Sequence, residues 1–477
     1  MKPEPEADRP DFSGPELSRL TARQAVDALK SGEVTPVELV EASLARIAQT
    51  GPAINAMVTT CAERALSAAQ NADRDSPLAG LPIGIKDLTP VAGVRTTWGT
   101  PALADFIPEA SDPLVLRLEA RGAVVIGKTN TPEMGAGANT FNPVFGATLN
   151  PWDTRMNAGG SSGGAAAGLA TGETWLSHGS DLGGSLRTPA SFCGIVGLRP
   201  SPGVVTGGGA DPFDTMPVQG PMARDVADCA LFLDMMAGSD PASPLSVPSP
   251  EQSYLDQCLA PAGAIRIAFS ADLGGWAPVT DQMTRLLREG LDRITGDGVA
   301  LFDAKPPLRG AEDCFRTLRA LGFWAQARKT PERITRLYKP ALQQNIADGA
   351  SLTTEDVAQA MTTRARLFAE MRGFLGAYDV LACPVSGVPP LPQEIEYPTE
   401  VAGVPSRDYL SWLAFAFPAT LCGLPALSLP LGFTESGLPV GVQLIGQPRG
   451  EGRLLQVARA LEARIGFAAR PIDPIIR

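Results

Sequence analysis

The sequence predicts an α/β fold, with a large mixed, mostly parallel central sheet covered by helices on both faces. Short apolar runs bounded by Gly and Pro, such as residues 81–85 and 123–126, indicate buried strands. Helical periodicity lies between such runs, which is typical of a sheet that is covered on both sides. At 477 residues and 44% hydrophobic, the chain is long enough to bury a core of this size.

The N-terminal part predicts a mobile tail followed by two helices. Residues 1–18 are acidic and broken by proline, and we assign 19–477 to a single domain. Residues 21–24 and 35–38 each place a Thr three positions before Gln or Glu, which is a capping box at a helix start. Apolar spacing predicts that the second helix is amphipathic and ends near Gly51.

Residues 240–378 are predicted to form a variable, mainly helical covering region. The strand pattern returns after this region. Residues 200–209 form a Gly/Pro-rich loop, and residues 238–250 form a Pro/Ser-rich connector. We expect a closing helix at 451–465. The further predicted strands lie at residues 193–198, 265–269, 379–384, 425–430 and 440–445, the last of them after a hairpin turn at 436–437.

Composition excludes several classes of protein. A formal net charge of -11 gives no basic surface for nucleic acid or for an anionic membrane. The start of the chain has no apolar segment typical of a secretion signal, and no run of about 18 apolar residues follows, so we expect a soluble, cytoplasmic protein. Seven scattered cysteines and one histidine predict neither a disulfide framework nor a metal site, and no cofactor is expected.

Two motif matches are misleading. Residues 122–129 fit the P-loop string, but their variable positions are Ala-Val-Val-Ile, which predicts a strand rather than an open phosphate-binding loop. Residues 159–163 fit the nucleophile elbow of α/β-hydrolases, which requires an acid and then a histidine later in the chain. The single histidine, His178, follows Ser161 too closely for that order.

A serine nucleophile in this chain therefore needs a base other than histidine. Lys86 follows an apolar run and is the best candidate, although a lysine at a strand end is ordinarily solvated. Lowering the pKa of a lysine to 7 or 8 requires about 3 to 5 kcal/mol of desolvation and local hydrogen bonding.

Lys86, the run Gly-Gly-Ser161-Ser162-Gly-Gly and the run Asp181-x-Gly-Gly-Ser185-x-Arg187 occur in this order. Together they resemble the amidase signature family of serine hydrolases. The resemblance covers residues 20–240 and 378–465, whereas the middle of the chain matches only loosely. Further similar stretches lie at residues 127–130, 150–152, 192–200, 220–224 and 437–446.

The resemblance implies a role for each matching residue. Ser185 would be the nucleophile, Ser161 the proton relay and Lys86 the general base, which acts without imidazole. The relay serine would follow a cis peptide bond, Gly160-Ser161. The implied oxyanion hole consists of the backbone N–H groups of Leu182, Gly183, Gly184 and Ser185.

Other residues near these motifs have supporting or structural interpretations. Ser162 would help to orient Lys86 or the relay, and Asp181 and Arg187 would brace the loop, with a simple surface salt bridge as the alternative. The glycines around Ser161 are otherwise typical of a flexible turn. We predict a structural role for His178.

The predicted function is hydrolysis of a carboxamide C–N bond, with a small uncharged aliphatic or aryl amide as substrate. Acyl specificity is expected from the variable region, from the loops near Met134 and Phe141, and from residues 412–417, because these are apolar. We expect a small-molecule substrate as partner and leave a homodimer open.

Two alternatives remain. The family includes the A subunit of the glutamine-dependent tRNA amidotransferase, whose usual Ser-Leu-Asp-Gln-x-Gly-Pro run is replaced here at residues 213–221. A non-catalytic binding protein that retains the fold is the alternative from another class, although the three implied catalytic positions are filled.

Overall fold

The structure is a computed structural model that describes residues 11–207, 211–467 and 470–477. Residues 1–10 of the predicted tail and residues 208–209 of the predicted Gly/Pro-rich loop lie outside the described residues. Residues 11–18 contact the body of the protein. The Ser13 N–H donates to Asp473 Oδ2 at 2.8 Å, and Ser18 is buried. The tail prediction is therefore restricted to residues 1–10.

Helices make up much of the described chain. Both predicted capping boxes are present, since Thr21 accepts from the Gln24 N–H and Thr35 from the Glu38 N–H. The bounds are α1 Ala22–Ser31, α2 Pro36–Ile54, α3 Ala62–Gln70, α4 Pro113–Ala120, α5 Gly163–Thr171, α6 Arg187–Cys193, α7 Val226–Met236, α8 Tyr254–Leu259, α9 Asp281–Asp292, α10 Ala311–Ala327, α11 Glu332–Thr335, α12 Pro340–Ala350, α13 Thr354–Leu375, α14 Phe417–Cys422 and α15 Glu451–Ile465. Short 3-10 helices lie at Glu16–Arg19, Pro101–Leu103, Glu133–Gly135 and Ser411–Ala416.

The described residues form one eleven-stranded sheet. Its strands are β1 Met57–Thr60, β2 Pro82–Lys86, β3 Val124–Thr129, β4 Leu176–Asp181, β5 Val196–Arg199, β6 Val218–Ala223, β7 Ile265–Phe269, β8 Val299–Asp303, β9 Val380–Pro384, β10 Ala426–Phe433 and β11 Pro439–Gly446. Two-stranded ribbons pair Phe141–Asn142 with Gly146–Ala147, Leu149–Asn150 with Asp153–Asn157, and Glu400–Val401 with Val404–Pro405.

The spatial order of the sheet is β1-β3-β2-β4-β6-β5-β10-β11-β9-β7-β8. Parallel pairs join β3, β2 and β4 on one flank and β9, β7 and β8 on the other. The strands between β4 and β9 pair antiparallel, as does β1 with β3. The predicted class, a large mixed sheet with helices on both faces, is confirmed, and parallel pairing is confined to the two flanks.

Several boundaries differ from the sequence prediction. Helix α2 continues through Pro52 and ends before Asn55, whose φ of 50° is left-handed. The predicted strand at 193–198 begins only at Val196, because Cys193 is the last residue of α6. The helical region contains β8, a short strand with only one buried residue, which shows little apolar pattern. No helix in the described ranges is long and apolar enough to cross a bilayer.

The sheet brings the motif residues to one edge. Strands β2 and β4 are parallel neighbours, so their carboxyl ends, Lys86 and Asp181, lie on the same side of the sheet. Helix α5 begins directly after Ser162, and α6 begins two residues after Ser185. Two strand ends and two helix starts therefore meet where the predicted site residues lie.

Candidate active site

Lys86 is fully buried and is surrounded by hydroxyl groups. Its Nζ lies 2.7 Å from Ser161 Oγ, 2.8 Å from Ser162 Oγ and 3.1 Å from Ser180 Oγ. Within the described part of the chain, no carboxylate forms an ion pair with this amine. Its hydrogen-bond partners are thus neutral groups, which stabilise a charged ammonium less than a carboxylate does.

Burial lowers the pKa of Lys86 to about 7, although the negative charge of Asp181 acts in the opposite direction. An amine with a pKa this low has an unprotonated form available near neutral pH, which an ordinary lysine lacks. An unprotonated amine has a lone pair that accepts a proton from a neighbouring hydroxyl. The predicted base thus has both the contact and the protonation state that this role needs.

The Gly-rich run at 159–164 is a tightly packed segment rather than an open turn. The peptide bond between Gly160 and Ser161 is cis, as the resemblance implied. Thr140 Oγ1 donates to the Gly159 carbonyl at 2.8 Å and accepts from the Gly163 N–H at 3.2 Å. A side chain on Gly163 would place its Cβ 2.4 Å from the same Thr140 oxygen. Thr140 therefore holds the backbone on both sides of Ser161.

Ser185 and Ser161 line one cavity of about 280 Å³, together with Ser180. Ser185 is partly exposed to this cavity, whereas Ser161 is only 2% exposed. The Ser162 N–H donates to the Ser185 carbonyl at 3.1 Å, which ties the two serine-containing segments together. The structure thus brings the predicted nucleophile, relay and base into one place.

The loop between β4 and α6 presents backbone donors to this cavity. Leu182, Gly183 and Ser185 line it, and their N–H groups donate to no acceptor among the described residues. The fourth predicted oxyanion donor has a different partner, because the Gly184 N–H donates to Asp181 Oδ1 at 3.1 Å. Gly184 therefore braces the loop, and three free donors remain.

Asp181 and Arg187 form a buried ion pair rather than a surface salt bridge. Arg187 Nη2 lies 2.7 Å from Asp181 Oδ1, and both side chains are fully buried. Arg199 lies 3.5 Å from the same oxygen and donates to the Asp181 carbonyl at 2.7 Å. It belongs to the similar stretch at 192–200, but the sequence predicted no role for it. Burial opposes ionisation of Asp181, but these two guanidinium groups hold its pKa well below the usual range.

His178 is buried next to the site and takes a structural position. Its Nδ1 accepts from the Lys86 backbone N–H at 3.4 Å, and its Nε2 lies 2.6 Å from Gln219 Oε1. Burial lowers the pKa of His178 to about 3, and the hydrogen bond to Gln219 offsets this only in part. The ring is therefore neutral at physiological pH, and its contact is with the backbone of Lys86 rather than the amine.

The P-loop match at residues 122–129 is mostly a buried strand, whereas the elbow match at 159–163 contains Ser161 of the candidate site. Within residues 122–129, β3 runs from Val124 to Thr129 and is buried. Lys128 is buried as well, donating to the Thr89 carbonyl at 2.7 Å and lying 3.4 Å from Asp87 Oδ1. The described ranges contain no group of three or more His, Cys, Asp or Glu residues arranged to hold a metal ion.

The cavity walls match the expected specificity residues only in part. Met134 and Leu413 line the cavity, but Phe141 and the aromatic residues of the 412–417 segment are not among its lining residues. The Phe141 ring instead lies 5.5 Å from Lys339 Nζ. Much of the remaining wall is one face of α10, in the variable covering region: Leu318, Arg319, Gly322, Phe323 and Gln326.

Sequence reasoning also missed Ser180 and Thr140. Ser180 directly precedes Asp181 on the strand that pairs with β2, so its position beside Lys86 follows from the parallel pairing. Thr140 lies far from the Gly-rich run in sequence, and no local pattern identifies it.

A family model and two curated relatives each match most of this chain. The family model described as Amidase matches residues 38–455. The chain is 34% identical to an acylamidase of Rhodococcus erythropolis, over 96% of this chain and 98% of that protein. It is also 34% identical to the A subunit of the glutamyl-tRNA(Gln) amidotransferase of Moorella thermoacetica, over 95% of this chain and 98% of that protein.

Solved structures show the same architecture. A bacterial aryl acylamidase of the amidase signature family is similar with a TM-score of 0.87 and 26% identity, covering 94% of this chain and 96% of that one. The 6-aminohexanoate cyclic dimer hydrolase, solved with its substrate, is similar with a TM-score of 0.86 and 27% identity, covering 96% and 99%.

Proposed function

This chain belongs to the amidase signature family, and from that premise we propose that it hydrolyses a carboxamide through an acyl-enzyme on Ser185. The observation that carries the proposal is the short contact between buried Lys86 Nζ and Ser161 Oγ, 2.7 Å apart. It is supported by the position of Ser185 in the same cavity.

In the proposed first step, the Ser185 hydroxyl attacks the amide carbonyl carbon. Its proton passes to Ser161 Oγ, while Ser161 gives its own proton to the neutral amine of Lys86. The tetrahedral intermediate then breaks its C–N bond, and the proton returns through Ser161 to the leaving nitrogen. Water hydrolyses the acyl-enzyme by the same proton path, which releases the acid and restores neutral Lys86.

The negative charge that develops on the carbonyl oxygen needs donors that already point into the site. We assign this role to the N–H groups of Leu182, Gly183 and Ser185, which have no acceptor among the described residues. Loss of one such donor typically costs about 3 kcal/mol of transition-state stabilisation. The ion pair between Asp181 and Arg187 would act indirectly, by holding the loop that presents these donors.

The uncharged aliphatic or aryl part of the substrate is proposed to lie against the apolar side chains of the cavity. Leu88, Trp98, Met134 and Leu413 provide this surface. A cytoplasmic location and a homodimer stay predictions from the sequence.

A fluorophosphonate probe tests the proposal directly, because it modifies activated serine nucleophiles. Wild-type protein should be labelled on Ser185, as mass spectrometry of the digested protein would show. Labelling should be lost in Ser185→Ala and strongly slowed in Lys86→Met and Ser161→Ala. Absence of labelling in folded wild-type protein would instead favour a non-catalytic binding protein.

The A subunit of a tRNA amidotransferase is a second candidate, favoured by the 34% identity to the Moorella thermoacetica protein. Counted back from Gly220-Pro221, the Ser-Leu-Asp-Gln run of those subunits is replaced by Thr215-Met216-Pro217-Val218, and Met216 and Pro217 line the cavity. This departure favours a free-standing amidase. Hydrolysis restricted to glutamine, together with co-purification of partner subunits, would reverse that preference.

A further inference from the structure

We propose that the substrate carries an anionic group, most simply a carboxylate, that binds the guanidinium of Arg319. This inference rests on the proposed amidase function and specifies its substrate class, in place of the wholly uncharged amide predicted from the sequence. Arg319 lies on α10, in the variable covering region, and it lines the same cavity as Ser161 and Ser185.

Arg319 is buried without a carboxylate partner. It is 5% exposed, and no ion pair includes it among the described residues. Its one hydrogen bond within the described residues runs from Nη2 to the hydroxyl oxygen of Tyr409. A guanidinium has five N–H donors, so most of its donors have no protein acceptor in this part of the structure.

The other buried arginines have compensating groups. Arg46 lies 2.8 Å from Asp473, and Arg187 and Arg199 share Asp181. Arg224 donates to three backbone carbonyls, those of Ser18, Leu20 and Thr174. Because a buried charge is destabilising unless it is paired, Arg319 stands apart in facing a cavity instead of an anion.

Two aromatic rings hold the guanidinium of Arg319 in place. Its Cζ lies 4.2 Å from the centre of the Phe323 ring and 5.5 Å from that of Tyr409. The Tyr409 hydroxyl in turn donates to Asn345 Oδ1 at 2.8 Å. Aromatic rings hold a guanidinium in place without neutralising its charge, which leaves its planar set of donors available for a carboxylate.

Asp214 also lines the cavity but does not act as the counter-ion. Its Oδ1 accepts from the Met216 N–H at 2.9 Å, and its charged neighbours are Asp211, Arg364 and Arg199. The apolar walls would then contact the body of the substrate, while Arg319 binds its anionic end.

The test compares two series of primary amides of equal chain length: monoamides of dicarboxylic acids, from succinamate to suberamate, and the unsubstituted aliphatic amides. For the best chain length, we expect wild-type kcat/KM to be about 10- to 100-fold higher with the carboxylate, the range for a charge-assisted hydrogen bond. Arg319→Met should remove this preference, so that the ratio of kcat/KM between the two series falls to about 1. Arg319→Lys should retain part of it, since lysine keeps the charge without the planar donors.

Arg328→Met is the matched control, because Arg328 follows the end of the same helix, is exposed and stacks on Trp324 rather than lining the cavity. N-acyl amino acids form a second arm, in which the carboxylate lies on the leaving amine; preference for them would place the anion on that side of the scissile bond. Thermal stabilisation by glutarate and its homologues, lost in Arg319→Met, measures binding without turnover and checks that the variant is folded. The proposal is wrong if carboxylates neither stabilise the wild-type protein nor improve its kcat/KM, or if Arg319→Met slows both series equally. Hydrolysis of unsubstituted amides with Ser185 labelling would then still support the proposed function.

Discussion

Lys86 Nζ and Ser161 Oγ lie 2.7 Å apart in a fully buried setting, one at the end of a strand and the other just before a helix. The lysine reaches this position because β2 ends at residue 86, and the serine because Thr140 holds both sides of its loop. Burial brings the pKa of the amine near neutral pH, and the contact places a hydroxyl beside it, as the proposed proton transfer requires.

The first prediction concerns pH. Because the pKa of Lys86 is lowered to about 7, its neutral form dominates above that pH and is lost below it. We expect kcat/KM for an amide substrate to rise with pH through an apparent pKa near 7 and to fall about tenfold for each pH unit below it. Initial rates between pH 5 and 9 would measure this profile in folded protein. His178 does not titrate in this window, since its pKa is about 3, so a profile without a limb near 7 would contradict the role of Lys86.

The second prediction separates the catalytic residues from the histidine. Lys86→Met, Ser161→Ala and Ser185→Ala should each lower kcat/KM by about 10³ or more, because they remove parts of one proton path. His178→Ala should keep kcat/KM within about tenfold of wild type but lower the free energy of unfolding by about 1 to 3 kcal/mol, since the Lys86 N–H and Gln219 lose a buried partner. Steady-state kinetics and urea unfolding on the four variants distinguish these effects. Complete loss of activity in His178→Ala alone would reverse the assignment.

The sequence predicts the scaffold of this site better than its walls. Lys86, Ser161 and Ser185 lie in short segments whose glycines and apolar runs predict strands and motifs from neighbouring residues alone. The structure brings these segments together. The strand at Ile265–Phe269 and the helix at Glu451–Ile465 match their predicted bounds for the same reason.

Contacts between distant segments were beyond such reasoning. Thr140, Arg199 and Arg319 contact residues that are remote in sequence, and although Arg199 lies in the similar stretch at 192–200, no local pattern predicts these contacts. The Gly184 N–H was predicted to belong to the oxyanion hole because of its position in the motif. Its hydrogen bond to the Asp181 carboxylate is seen only in three dimensions. Phe141 is apolar and near the site in sequence, yet its ring faces Lys339.

The third prediction concerns the buried ion pair that holds the proposed oxyanion loop, between Asp181 and Arg187. Asp181→Asn would leave the charges of Arg187 and Arg199 without their shared carboxylate. We expect the free energy of unfolding to fall by about 3 to 5 kcal/mol, as is usual when one partner of a buried pair is removed. Asp292→Asn, which breaks the exposed pair with Arg288, is the control and should cost at most about 1 kcal/mol. Urea unfolding at neutral pH gives both values. Equal losses would show that the buried Asp181 pair contributes no more to stability than the exposed pair.

The last prediction concerns the packing that holds Ser161. In Gly163→Ala the new Cβ would lie 2.4 Å from Thr140 Oγ1, so Thr140 must move. That movement would break its hydrogen bonds to the Gly159 carbonyl and the Gly163 N–H, which lie on either side of Ser161. We therefore expect a loss of about 1 to 3 kcal/mol in unfolding free energy, the usual cost of overpacking, and a decrease in kcat/KM of about tenfold or more.

Gly373→Ala provides the matched control, because Gly373 is exposed in the last turn of α13 and a Cβ there meets nothing within 4 Å. This substitution should stabilise the protein by about 0.5 to 1 kcal/mol and leave kcat/KM unchanged, since alanine has the higher helix propensity. Both variants would be compared by urea unfolding and by the rate of fluorophosphonate labelling of Ser185. If Gly163→Ala were labelled as fast as Gly373→Ala, the backbone around Ser161 would tolerate the displacement of Thr140, and the Gly-rich run would be a flexible turn after all.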